Sequence, residues 1–136
     1  MAVDFNKLDL AVIGEEGYNL QVVDPYGDEM EGVTIRVRSE HSKTVSAFTT
    51  KRFNEYQKQQ RVARGKNKEY EPDIEELRDQ AAENAAVRVI GWTGIALGED
   101  ELPWNFENAT ALLRKHEWLR NQVIEASNEL TNFRPK

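Results

Sequence analysis

Tyr18-Asn19-Leu20-Gln21-Val22, then Asp24-Pro25-Tyr26-Gly27-Asp28-Glu29-Met30-Glu31-Gly32, then Val33-Thr34-Ile35-Arg36-Val37-Arg38 is the stretch that decides the fold class. Tyr18, Leu20 and Val22 alternate with Asn19 and Gln21, and Val33, Ile35 and Val37 alternate with Thr34, Arg36 and Arg38. A period of two turns one side of each run toward a core and the other toward water, which is the pattern of half-buried strands. Between them Pro25 fixes φ and the glycines admit positive φ, so the runs form an antiparallel hairpin with a long loop. A weaker apolar run, Leu8 to Ile13, closes at Gly14-Glu15-Glu16-Gly17 and reads equally as a short strand or a helical turn beside the hairpin.

From Ser42 onward the apolar spacing changes to three and four. Val45, Phe48, Arg52 or Phe53, and Tyr56 predict a helix with Ser42 as its N-cap and Gly65 at its end. Residues 65–71 are too polar to pack and read as an exposed connection, with Pro72 in the first turn of the next helix. Ile74, Leu77, Ala81, Ala85, Val89 and Ile90 then predict one apolar helical face, with Glu75, Glu76 and Asp79 near the positive end of its dipole. Gly91-Trp92-Thr93-Gly94 is expected to stop that helix, and the stretch through Pro103 reads as a loop. Asn105 is expected to cap a short helix carrying Ala109, Leu112 and Leu113. A last helix uses Leu119, Val123, Ala126, Leu130 and Phe133, and Arg134-Pro135-Lys136 is expected to fray. The expectation is an α+β fold in a single domain, 1–136. Its β-rich part, 1–40, holds a small N-terminal antiparallel hairpin or sheet, and its helical part, 41–136, holds about four helices.

Composition narrows the chemistry. The 136 residues contain no cysteine, which removes a disulfide framework, a thiolate zinc site and a cysteine nucleophile. Only His41 and His116 titrate near neutrality, and neither sits in a catalytic motif: His41 reads as a solvated turn residue and His116 as a helix-junction residue. The phosphate-loop, dinucleotide and paired-histidine signatures are all missing. Asp24, Asp28 and Glu31 around Gly27 do not satisfy the calcium-loop pattern and read as an acidic turn. No catalytic residue, cofactor or metal is therefore assigned, and the chain is expected not to be an enzyme. No leader and no run of about 18 apolar residues is readable, so a soluble cytosolic protein without a membrane role is expected.

Charge is unevenly spread. The net charge is -6, yet residues 51–70 carry seven basic side chains against two acids, while residues 1–35 carry eight acids against Lys7. An overall acidic chain argues against a dedicated nucleic-acid binder. A solvated helical face accounts for the basic block most simply. It would also suit an acidic protein or the acidic region of a second copy, joined head to tail in rings or open filaments. Trp92, Trp104 and Trp118 all fall in the last third, where aromatics serve a core or anchor an interface. The candidate partner-binding residues are Arg61 and Arg64 at the basic helix end and Trp92 and Trp104 in the loop they bound.

Gly91-Trp92-Thr93-Gly94-Ile95, Leu102-Pro103-Trp104-Asn105-Phe106-Glu107-Asn108-Ala109, Leu112-Leu113, Trp118-Leu119-Arg120-Asn121-Gln122-Val123 and Phe133 resemble the tail assembly chaperones of long-tailed bacteriophages. The Asp24–Asp28 turn, Gly32–Val37 and the Ser39–Ser42 turn are similar to the same proteins, so the resemblance spans most of the chain. It departs at Asn105-Phe106, where a serine cap and a proline are frequent, and at His116, where a proline often precedes the tryptophan. The resemblance implies a non-catalytic assembly factor of the host cytoplasm. It would coat the helical tape-measure protein, keep it soluble, bring tail-tube subunits to it, associate with itself and leave before the mature virion forms. A permanent subunit of the tail or head-tail connector, and a small nucleic-acid-binding regulator acting through residues 51–70, are the rival expectations.

Overall fold

In a computed structural model, which describes residues 1–135, the two alternating runs become β1 (Tyr18–Val23) and β2 (Glu29–Val37). They pair antiparallel with Leu20 opposite Ile35 and Tyr18 opposite Val37. Ile35, Val37 and Val22 are buried, while Asn19 faces water, as the period of two requires. The expected fraying at the C-terminus concerns Lys136 in part, which lies outside the described residues.

The undecided N-terminal run is helical. A 3₁₀ turn (Phe5–Leu8) precedes α1 (Leu10–Glu16), whose cap is Asp9, its carboxylate accepting the Ala11 N–H at 3.1 Å. Gly14 lets α1 approach the chain after β2 closely: a Cβ there would lie 2.8 Å from the Ser39 Cβ, and the Ser39 N–H donates to the Gly14 carbonyl.

Val89 and Ile90 require a correction. They do not extend the helical face but begin a third strand. The helix α3 (Ile74–Ala86) ends at Ala86, and β3 (Val89–Thr93) pairs antiparallel with β2, giving the order β1-β2-β3. Val87-Arg88-Val89-Ile90 is rich in β-branched residues, and pairing it with β2 satisfies the backbone that an isolated hairpin would leave open at its edge. Gly91-Trp92-Thr93-Gly94 is thus the end of a strand, and the expected loop contains a two-residue hairpin, β4 (Ala96–Leu97) with β5 (Asp100–Glu101), turning at Gly98, whose φ is 65°.

Two smaller corrections concern helix ends. Pro72 stands ahead of the N-cap and not inside the first turn, because Asp73 takes the capping role through the Glu76 N–H at 2.8 Å. The last helix, α5 (Glu117–Asn128), stops before Leu130, and a 3₁₀ turn (Leu130–Phe133) swings the buried Phe133 edge-on against Tyr18 while leaving Leu130 exposed. Asn105 caps α4 (Phe106–Lys115) as expected, accepting the Asn108 N–H. Among the described residues four helices therefore follow the hairpin and one precedes it. A single cluster of buried side chains, including Val22, Ile35, Val89, Ala109, Leu113 and Val123, joins sheet and helices. The Gln122 side chain fastens α5 to β1 by bonding both the N–H and the carbonyl of Val23 at 2.8 and 2.7 Å.

Candidate partner-binding site

The helix α2 (Lys43–Gly65) is the longest element, about 34 Å at 1.5 Å per residue, and buries only Val45. Its first turn is fixed on the body. Ser42 accepts the Val45 N–H through Oγ, and the Glu15 carboxylate accepts the Thr44 N–H while facing the Arg38 guanidinium at 3.6 Å. Partial burial opposes ionisation of Glu15, but the Thr44 bonds and Arg38 outweigh it and hold the carboxyl below its ordinary range.

Beyond that anchor α2 meets α3 through side chains. Arg52 forms an ion pair with Glu83 and its guanidinium lies 5.0 Å over the Phe48 ring. At the far end Tyr70 turns back onto α2, with its ring 6.2 Å from that of Tyr56 and its carbonyl accepting from Gln60. The Tyr70 hydroxyl donates to Glu76, which raises its pKa. The remaining side of α3 faces α4, where the alanines Ala82 and Ala85 are buried and Arg114 bridges to Glu75 and Asp79.

The α2–α3 pair leaves an open apolar groove. Two adjoining concavities of 310 and 350 Å³ share Thr49, Arg52 and Gln80 and expose Phe53, Tyr56 and Leu77. Phe53 is 59% exposed, Tyr56 46%, Ile74 62% and Leu77 50%. This corrects the expected burial of Ile74 and Leu77. The alanine stripe of α3 takes the core side, where small residues permit close approach to α4, and the larger apolar side chains are left outside. Covering these four would contribute on the order of 1 kcal/mol apiece, since full burial of a large apolar side chain contributes about 1.5–3 kcal/mol.

The four residues singled out in the sequence occupy two elements. Arg61 and Arg64 are exposed on the distal part of α2. Trp92 lies in β3 and is half-buried against the core, its indole N–H donating to the Leu102 carbonyl at 2.8 Å, so it fixes the β4–β5 excursion. Trp104 precedes the α4 cap and is 42% exposed. Among the described residues no hydrogen bond or ion pair joins the arginines to the tryptophans. Of the histidines, His41 is exposed beside Glu40, and His116 stands between α4 and α5 with its ring edge-on to Trp118. Asp24 of the suspected acidic turn accepts the N–H groups of Tyr26 and Asp28.

The sequence model of one known family, the YdaY prophage protein, matches residues 24–136, from the β1–β2 turn to the C-terminus. The chain belongs to this family. It is therefore a protein of phage origin, and the family match takes in β2, β3 and the whole α2–α3 groove. No curated protein and no solved structure matches the chain.

Proposed function

We propose that the chain is a tail assembly chaperone, acting by binding and not by catalysis, which covers apolar helical segments of the tape-measure protein in the host cytoplasm. The observation that carries this reading is the groove between α2 and α3, where Phe53, Tyr56 and Leu77 stand exposed. An amphipathic helix laid in such a groove exchanges its own exposed stripe for packing against that of the chaperone. A long partner offers many such stripes, so weak single contacts add by avidity yet each stays displaceable by tail-tube subunits, after which the chaperone leaves the particle. Prophage family membership and the resemblance of the β3–α4 segment to tail assembly chaperones support the same role.

Co-expression with the tape-measure protein, followed by size exclusion with light scattering, tests it. A soluble complex with several copies of the chain per tape-measure protein is expected, with the tape-measure protein insoluble alone. A chain that elutes alone while the tape-measure protein precipitates, or that is found in purified virions, contradicts the reading.

A further inference from the structure

The face of α2 that turns away from α3 carries a row of basic side chains. Lys43, Ala47, Lys51, Lys58 and Arg61 follow a helical stripe beside Ala11 of α1 and line a trough of 950 Å³. Among the described residues Arg38, Arg52, Arg78, Arg114 and Arg120 are ion-paired with carboxylates, whereas Lys43, Lys51, Lys58 and Arg61 are not. Among the described residues these four cations thus form no ion pair, although Glu55 lines the same trough.

The complementary surface is the β1–β2 turn. Asp28, Glu29 and Glu31 are exposed there, and residues 24–33 contain no basic side chain. Asp24 stiffens the turn by accepting the Tyr26 and Asp28 N–H groups at 2.9 and 3.0 Å. It presents Tyr26, 91% exposed, as a rigid aromatic anchor amid the acids. Among the described residues no ion pair joins the turn carboxylates to the trough cations of the same molecule. β2 carries the chain nine residues away from the turn, about 30 Å in extended conformation, before α2 begins at Lys43.

We propose that copies of the chain associate head to tail, the acidic β1–β2 turn of one, with Tyr26 at its centre, docking in the basic trough along α2 of the next. Such a contact joins two different patches, so it closes into a reciprocal dimer or a larger ring, or propagates into an open filament, according to the rotation between copies. It uses the face of α2 opposite the apolar groove, so a string of copies keeps every groove open. This inference stands on charge and geometry and holds whatever the groove binds.

Charge exchange tests it, with the molar mass followed by sedimentation at low and high salt. The wild-type chain is expected to show at least twice its monomer mass of 15.7 kDa in about 0.01 M salt, where charges act over ~30 Å. It should return to monomer in about 1 M salt, where the range falls to ~3 Å. The trough variant Lys51→Glu/Lys58→Glu/Arg61→Glu and the turn variant Asp28→Lys/Glu29→Lys/Glu31→Lys should each be monomeric. Their equimolar mixture, and the chain carrying both sets, should assemble again. A monomeric wild type at low salt, assembly that survives either triple change, or no rescue in the mixture overturns the proposal. Capture of duplex DNA or RNA by a wild-type chain that stays monomeric, lost in the trough variant, overturns it in favour of nucleic-acid binding.

Discussion

Gly94 joins β3 to the β4–β5 hairpin with φ at 78°, and a Cβ placed on it would stand 2.3 Å from the Gly32 carbonyl oxygen and 3.0 Å from its carbon. Gly94→Ala therefore combines two costs. The left-handed backbone disfavours alanine by about 1 kcal/mol. The clash is with backbone on a paired strand, so β2 and β3 must part by about 1 Å at the Thr34–Thr93 end, where the two hydroxyls bond at 2.8 Å. Overpacking of this kind typically costs about 1–3 kcal/mol. The total is about 2–4 kcal/mol, or a fall in melting temperature of roughly 10 °C for a domain of this size. Gly98→Ala isolates the first cost, because φ is 65° there but nothing lies within 4 Å of the added Cβ. Urea unfolding of both variants should show Gly94→Ala at least about 1 kcal/mol worse than Gly98→Ala, with equal slopes. Equal losses in the two would refute the tight β2–β3 junction and with it the pairing of the third strand.

Three further outcomes follow from named contacts. The folded pKa of Glu15 is lowered, so its contribution to stability is present above the unfolded pKa and disappears as pH falls through the folded one. The stability gap between wild type and Glu15→Gln should accordingly be larger at neutral pH than at acid pH below the carboxylate range, as measured by urea unfolding at both. Phe53→Asp and Leu77→Asp alter exposed side chains, so thermal unfolding should move by no more than about 0.5 kcal/mol, while co-purification of the tape-measure protein falls at least tenfold. Trp104→Ala removes a side chain 42% exposed and should lower the melting temperature less than Trp92→Ala, which also removes the bond to the Leu102 carbonyl; thermal scans of the pair decide it.

The hairpin, the Ser42, Asn105 and Gly65 signals, and the α+β class were all readable because each depends on residues adjacent in sequence. The third strand was not. Val89 and Ile90 continue the three- and four-residue spacing of Ile74, Leu77, Ala81 and Ala85, and only the free edge of β2, fifty residues upstream, makes them extended. The groove was hidden for a related reason. Both stripes of α3 are apolar, and sequence spacing does not reveal that the alanine stripe Ala82, Ala85 and Ala86 wins the core while Ile74 and Leu77 stay outside. The signal present in the sequence was size: large residues on one stripe and small ones on the other, next to a helix with only Val45 to bury. The basic block of 51–70 was visible as composition, but its separation from the apolar groove onto another face of α2 needed the position of α3.

On the proposed function, the α2–α3 groove receives an apolar helical partner. Amide hydrogen exchange of the chain alone and in its complex with the tape-measure protein tests it most directly. Added protection is expected in α2 from Phe48 to Gln60 and in α3 from Ile74 to Ala81, with β1 and α5 unchanged. Protection confined to other elements, or none in a complex that demonstrably forms, would contradict it.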